Sequence, residues 1–155
     1  MKYYCVFDTN VIIAFFLNKN KESSVYKIIN NHFIEKDDIV PITNKKILYE
    51  YLNVLKRKKF DKIIDREKAI EFLILFYTKS ISIENPSDYI SLLDEKTKSE
   101  LRDEKDFVFY NVVMETKEKI NNAYLITGNK KDFPIEIFIK SPKEMIDLIE
   151  QNNRS

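Results

Sequence analysis

Short apolar runs alternate along the chain with longer stretches whose apolar residues recur at helical spacing. KYYCVF (2–7), rich in aromatic and β-branched residues, reads as a strand. Asp8-Thr9-Asn10 then offers helix-capping side chains, and the following VIIAFFL is apolar nearly all round, as a buried helix is. A second helix is predicted from about Ser24 to Phe33, with Val25, Ile28 and Ile29 on one face. DIVPIT (38–43) reads as a short strand whose Pro41 marks an irregular or edge position. Thr43 or Asn44 can cap a helix reaching about Arg57, with Ile47, Tyr51, Val54 and Leu55 inward. Another runs from about Arg66 to Thr78 with Ile70, Leu73, Ile74 and Tyr77 as its apolar positions, and SISIE (80–84) alternates like a strand. Residues 85–102 fit either a loop or a short surface helix around Tyr89 to Lys96. A helix from about Glu104 to Lys119, a strand AYLIT (123–127), a turn at Gly128 and Asn129 and a strand IEIFIK (135–140) complete the alternation. Ser141 and Pro142 open a final helix, as N-cap and first helical residue.

This order predicts an α/β fold with a largely parallel central sheet flanked by helices. Residues 1–150 are expected to form one domain, with 151–155 as a C-terminal tail. Ligands of such sheets bind beyond the carboxyl ends of the strands. Two strand ends carry suitable polar residues: Asp8 after the first, and Thr127, Asn129 and Asp132 after the fourth.

Composition narrows the chemistry. The 155 residues contain one Cys, one His and one Gly, which excludes a cysteine zinc site, a paired-His metal motif, a P-loop and a dinucleotide-binding glycine fingerprint. Cys5 and His32 are expected to be packing or surface residues. Catalysis must rest on carboxylates, hydroxyls, amides, Lys and Arg. The net charge of +1 supplies no global field toward nucleic acid or an anionic membrane. The apolar run Val11–Leu17 is too short to span a bilayer, and Asp8 interrupts any signal-peptide core, so the expected location is cytoplasmic, with no membrane partner.

Five acidic positions stand out. Asp8 is either an ordinary helix N-cap or a site carboxylate at a strand end. Glu50 lies at the border of the apolar stripe between Ile47 and Val54, where a solvated flank residue is also common. Asp106 precedes Phe109 by three residues and Val113 by seven, which puts a carboxylate on the apolar face near a helix start; burial there requires a cation, a donor or water. Asp103 reads as the N-cap of that helix, and Asp132 as part of a polar turn closed by Phe133 and Pro134. Hard oxygen donors without thiolate or paired imidazole suit Mg²⁺ or Mn²⁺ rather than zinc.

The ordered segments Asp8-Thr9-Asn10 after a strand, ILYEYLNVLKRKKF (47–60), RDEKDFVFY (102–110) and YLITGNKKDF (124–133) resemble the PIN-domain ribonucleases. Within them the chain looks most like toxin-like members of bacterial type II toxin–antitoxin pairs. The resemblance implies a three-layer α/β/α fold. It also implies a catalytic, metal-binding set of Asp8, Glu50 and Asp106 gathered within reach of one or two hydrated ions, with a further polar group after the fourth strand. Many PIN domains have Asp where this chain has Asn129, which makes Asp132 or Asp103 the candidate additional metal ligand. Thr9, Asn10, Thr127 and Asn129 match positions that support the acidic cluster. The implied reaction is Mg²⁺- or Mn²⁺-dependent hydrolysis of RNA, leaving 5′-phosphate and 3′-hydroxyl ends. Candidate phosphate contacts are Lys56, Arg57, Lys58 and Lys59, with Lys45, Lys46, Lys130 and Lys131. An antitoxin partner and a homodimer are also implied, the latter with Tyr89 and Phe138 as exposed-looking aromatics.

Two other readings remain open. A catalytically degenerate PIN-like interaction module would fit Asn129. An aspartyl phosphatase-like hydrolase would share the Asp after the first strand, although Asn10 stands where that class resembles Asp-x-Asp.

Overall fold

The computed structural model describes residues 1–101 and 103–154. Five parallel strands form the sheet: β1 (Tyr3–Phe7), β2 (Ile39–Thr43), β3 (Ile81–Ser82), β4 (Ala123–Ile126) and β5 (Ile139–Lys140), in the order β3-β2-β1-β4-β5. The helices are α1 (Thr9–Leu17), α2 (Ser24–Tyr26), α3 (Lys45–Leu55), α4 (Arg66–Lys79), α5 (Glu95–Glu100), α6 (Phe107–Lys117) and α7 (Pro142–Asn153). Helix α6 packs on β1, β2 and β4, while α4 covers β2 and α7 covers β5 and reaches α2. The result is a three-layer α/β/α architecture, as the alternation predicts. No helix among the described residues is long and apolar enough to cross a membrane.

The first strand is central. From β1 the chain steps outward to β2 and β3, then crosses back to β4 on the other side. The reversal makes the β1/β4 crevice the topological switch point, where the loops leaving two neighbouring strands diverge and open a cleft. Phe7 pairs with Ile126, so Asp8 and Thr127 are the first residues beyond the paired strands.

Several sequence expectations are corrected. Pro41 lies in an internal strand, not an edge strand. It is paired with Cys5 of β1, while β3 meets β2 only at Ile42 and Thr43, so the missing N–H falls beside the short neighbour. The helix expected at Ser24–Phe33 begins as α2 but continues as a π-helix, Lys27–Glu35, whose wider turn buries Ile28, Ile29, His32 and Phe33 together. In α4 the inward residues are Ala69, Leu73 and Phe76, whereas Ile70, Ile74 and Tyr77 are exposed. Phe76 wins the inward position because Phe7, Phe33, Tyr51 and Phe72 surround it. The strand expected over 135–140 shrinks to Ile139–Lys140 because a turn closed by Ile139 N–H on the Glu136 carbonyl precedes it. That over 80–84 shrinks to Ile81–Ser82. Phe138 is buried, packed beside Tyr110 and under the Lys117 ammonium, and Tyr89 is half-buried with its hydroxyl donating to Glu115.

His32 and Cys5 are both buried; His32 Nδ1 meets the Asp38 carboxylate at 3.2 Å, and burial pushes the Cys5 thiol up. In the segment expected at 85–102, of which residue 102 lies outside the described residues, a short 3₁₀ turn, Ile90–Leu92, is followed by α5. Helix α7 runs to Asn153, three residues into the segment expected as a tail. Its start is a complete capping box: Ser141 Oγ accepts from Glu144 N–H, and the Glu144 carboxylate accepts from Ser141 N–H. Ser141→Ala is expected to lower stability by about 1 kcal/mol, measured as a shift of the urea midpoint without change of slope.

Candidate active site

Asp8 occupies the N-cap position of α1, but its side chain does not cap the helix. Instead Asp8 Oδ2 accepts a hydrogen bond from Thr127 Oγ1 at 2.8 Å, across the switch point from β4. Backbone bonding fixes the approach, with Asp8 N–H donating to the Ile126 carbonyl at 2.9 Å. Both residues are buried. Burial raises the Asp8 carboxyl above its ordinary range; the Thr127 hydroxyl and the Thr9 N–H oppose that shift, while the charges of Asp132 and Glu50 add to it.

The hydrogen bonds continue outward from Thr127. Asn129 N–H donates to Thr127 Oγ1 at 3.0 Å, and Asn129 Nδ2 donates to Asp132 Oδ2 at 3.0 Å. The Asn129 amide therefore holds an acid three residues later, on the short 3₁₀ turn Lys130–Asp132.

Glu50 comes from α3, whose own N-cap is Asn44, accepting from Ile47 N–H. The neighbouring Tyr51 is fully buried and donates its hydroxyl to the Phe7 carbonyl at 2.5 Å, which ties α3, and with it the helix segment bearing Glu50, to the end of β1. The sequence marked Tyr51 only as an inward residue; an aromatic hydroxyl on an otherwise aliphatic stripe was the available signal for a buried hydrogen bond. Asp106 ends a 3₁₀ turn, Glu104–Asp106, at the entry to α6, and Asp103 caps that turn by accepting from Lys105 N–H at 2.9 Å. Half-buried Asp106 meets neither a cation nor a donor among the described residues. Its pKa is pushed up to about 7, first by burial and then by the charges of Asp8, Asp132, Asp103 and Glu50.

Asp8, Glu50, Asp106 and Asp132, with Asp103 at the margin, thus share one electrostatic environment at the carboxyl end of the sheet. No three acidic, His or Cys side chains among the described residues close into a ready-made shell around a single ion. The donor set nevertheless suits a hydrated Mg²⁺ or Mn²⁺, because Mg²⁺ keeps several waters and needs only one or two direct carboxylates. A second feature fits: the Thr9 hydroxyl, next to Asp8, is buried without a hydrogen-bond partner among the described residues. Asn10 is exposed on the first turn of α1.

The basic residues divide. Lys56, Arg57, Lys58 and Lys59 are exposed beyond the C-terminal end of α3, where the Arg57 carbonyl accepts from Arg66 and Lys59 lies over Phe60; no contact joins them to the acidic cluster among the described residues. Lys130 and Lys131 flank Asp132 directly, and Lys130 is paired with Glu144 at 3.0 Å. Lys45 and Lys46 open α3 on the rim of a groove of about 710 Å³ that reaches Glu50 and also contains Tyr49, Phe107 and Lys105. This groove was not anticipated from the sequence.

A family model described as PIN domain matches residues 4–131. Among curated proteins, no sequence matches the chain. A chain of the crystal structure of VapBC2 from Rickettsia felis, bound to a DNA fragment from their promoter, has a similar fold. The TM-score is 0.55 at 18% identity, covering 89% of this chain and 98% of that one.

Proposed function

Taking as premise that this chain belongs to the PIN-domain family, we propose that it is a Mg²⁺- or Mn²⁺-dependent endoribonuclease, acting in the cytoplasm as the toxin of a toxin–antitoxin pair. The observation that carries this reading is the Asp8–Thr127 hydrogen bond across the β1/β4 switch point, with Asp106, Glu50 and Asp132 within electrostatic reach. Asp8, Glu50 and Asp106 are the residues that hold the ion, and Asp132, presented by Asn129, is the fourth carboxylate; Asp103 is mainly a cap. When bound, the ion polarises the scissile phosphate and lowers the pKa of an attacking water.

The chain's own groups do the remaining work. Thr127 orients the Asp8 carboxylate and favours its ionised form. Tyr51 fixes α3 against the end of β1, which holds Glu50 within electrostatic reach of Asp8. Uncompensated, these acids would repel an approaching phosphodiester, a repulsion that a cation held by Asp8, Glu50 and Asp106 would offset. Lys130 and Lys131 provide phosphate contacts at one margin, and Lys45 and Lys46 at the other; the run Lys56–Lys59 is a more distant contact. An antitoxin partner and a homodimer belong to the same reading. The apolar furrow between α3 and α4, lined by Leu48, Leu52, Ile70, Leu73, Ile74 and Tyr77, supports a protein partner in general terms.

The decisive experiment incubates purified protein with single-stranded RNA in Mg²⁺, in Mn²⁺ and in EDTA, and maps the product ends. Metal-dependent cleavage leaving 5′-phosphate and 3′-hydroxyl ends is expected. Undiminished cleavage in EDTA, or cyclic-phosphate ends, would overturn the mechanism. The lack of a closed three-carboxylate shell among the described residues and the presence of Asn129 favour one alternative, an inactive interaction module. Titration with Mn²⁺ separates the two, because the nuclease must bind the ion.

A further inference from the structure

The groove beside Glu50 has a composition that metal chemistry does not require. Its volume, about 710 Å³, is within the size range of small-molecule sites. Tyr49 and Phe107 both line it, and each is the immediate neighbour of a cluster carboxylate, Tyr49 of Glu50 and Phe107 of Asp106. Tyr49 is 67% exposed, although an aromatic ring of that size is usually at least partly covered. Its ring packs against no other aromatic ring among the described residues. Lys45 and Lys46 lie one turn before it on α3, and Lys105 lies on the wall bearing Phe107. None of the three lysines forms a salt bridge among the described residues.

The same groove contains Glu84, whose carboxylate accepts from Lys45 N–H at 3.3 Å, as well as Glu104 and Glu50. The start of α3 is thus already satisfied by Glu84 and Asn44, and a bare phosphate would face three carboxylates. A planar heteroaromatic ring is better matched: its face covers exposed Tyr49, its edge amino groups can donate to carboxylates, and its attached phosphates reach the lysines at the rim. From this arrangement we infer that the groove is a nucleotide subsite in which an unpaired nucleobase of a single-stranded nucleic acid stacks on Tyr49, with Phe107 as the apolar wall and Lys45, Lys46 and Lys105 neutralising the flanking phosphates. The inference rests on the nuclease reading and adds to it the side chain, Tyr49, on which an unpaired base is received. A base inside a duplex has both faces stacked and cannot offer one to Tyr49.

The test measures binding rather than cleavage. In the Asp8→Asn protein with Mg²⁺ at fixed ionic strength, fluorescence anisotropy follows a short labelled RNA, the DNA of the same sequence, and a duplex of each. Adding Tyr49→Ala should weaken single-strand binding about tenfold, whereas Tyr49→Phe, which keeps the stacking face, should stay within about twofold of the Asp8→Asn parent. Duplex binding should not respond to either change. Whichever single strand responds more strongly identifies the sugar preferred. Unchanged single-strand binding in Tyr49→Ala would overturn the inference, and so would an equal loss on the duplex. Because Tyr49 is exposed, its truncation leaves the core packing unchanged, and far-UV circular dichroism checks the fold. If Tyr49 governs binding but the wild-type protein cleaves no RNA, the nuclease reading fails and the groove stands. If RNA is cleaved and Tyr49→Ala binds normally, the reverse holds.

Discussion

Asp8→Asn should lower RNA cleavage by a hundredfold or more at saturating Mg²⁺. The substitution is close to isosteric, and the asparagine side-chain oxygen can still accept the Thr127 hydroxyl hydrogen that Asp8 Oδ2 accepts at 2.8 Å. Since the Asp8 side chain does not cap α1, no helix cap is lost. What disappears is one negative charge at the switch point, and with it an ionic ligand for the cation. A loss of transition-state stabilisation of about 3 kcal/mol corresponds to a rate loss of over a hundredfold. Asp106→Asn should behave alike. Asp103→Asn should have a much smaller effect, because that residue is exposed and its oxygen is engaged with Lys105 N–H. Single-turnover cleavage, with melting curves run in parallel, measures all three. Parental activity in Asp8→Asn would refute the residue assignment and leave the fold unaffected.

The metal-free protein should lose stability as pH rises from about 4 to 8, and Asp106→Asn should remove much of that slope. In the folded chain the Asp106 pKa is about 7, against an ordinary value of 3.8. Between those values the folded state retains a proton that the unfolded state has released, so stability falls as pH increases through the window. Asp8 is shifted in the same direction and contributes with the same sign. Asp106 is half-exposed, so solvent screening reduces its share to about 1–2 kcal/mol, equivalent to several degrees in melting temperature. Melting in EDTA at pH 5, 6, 7 and 8 should show a decline in the parent and a flatter profile in Asp106→Asn. At pH 8, Mg²⁺ should restore the parent more than the variant, because the parent presents the additional charged ligand. A parent curve flat over this range would show that the acids are not strained against one another.

The elements themselves were legible because their signals are local. The order of strands and helices, Asn44 and Ser141 as caps, and the inward set Ile47, Tyr51, Val54 and Leu55 all depend on side chains within a turn or two of one another. The candidate acids could be located on the elements for the same reason: Asp8 at a strand end, Glu50 at the edge of a stripe, Asp106 on an apolar face at a helix start. Their convergence was a different matter. It depends on the crossing from β3 to β4, which makes β1/β4 the switch point, and on the bond from Tyr51 to the Phe7 carbonyl, a link between residues 44 positions apart. Face selection in α4 was likewise tertiary. Helical spacing offered Ile70, Ile74 and Tyr77 as readily as Ala69 and Phe76, and the choice was made by aromatic partners from β1, α3 and the π-helix. Strand length was overestimated at 80–84 and 135–140 because alternation records a tendency to extend, whereas pairing needs a neighbouring strand in register. The role of Asn129 is the same distinction at a single residue. The family resemblance marks it only as a departure from an acid, and only the folded turn reveals that its amide holds Asp132, since a side-chain hydrogen bond is a property of geometry and not of residue type.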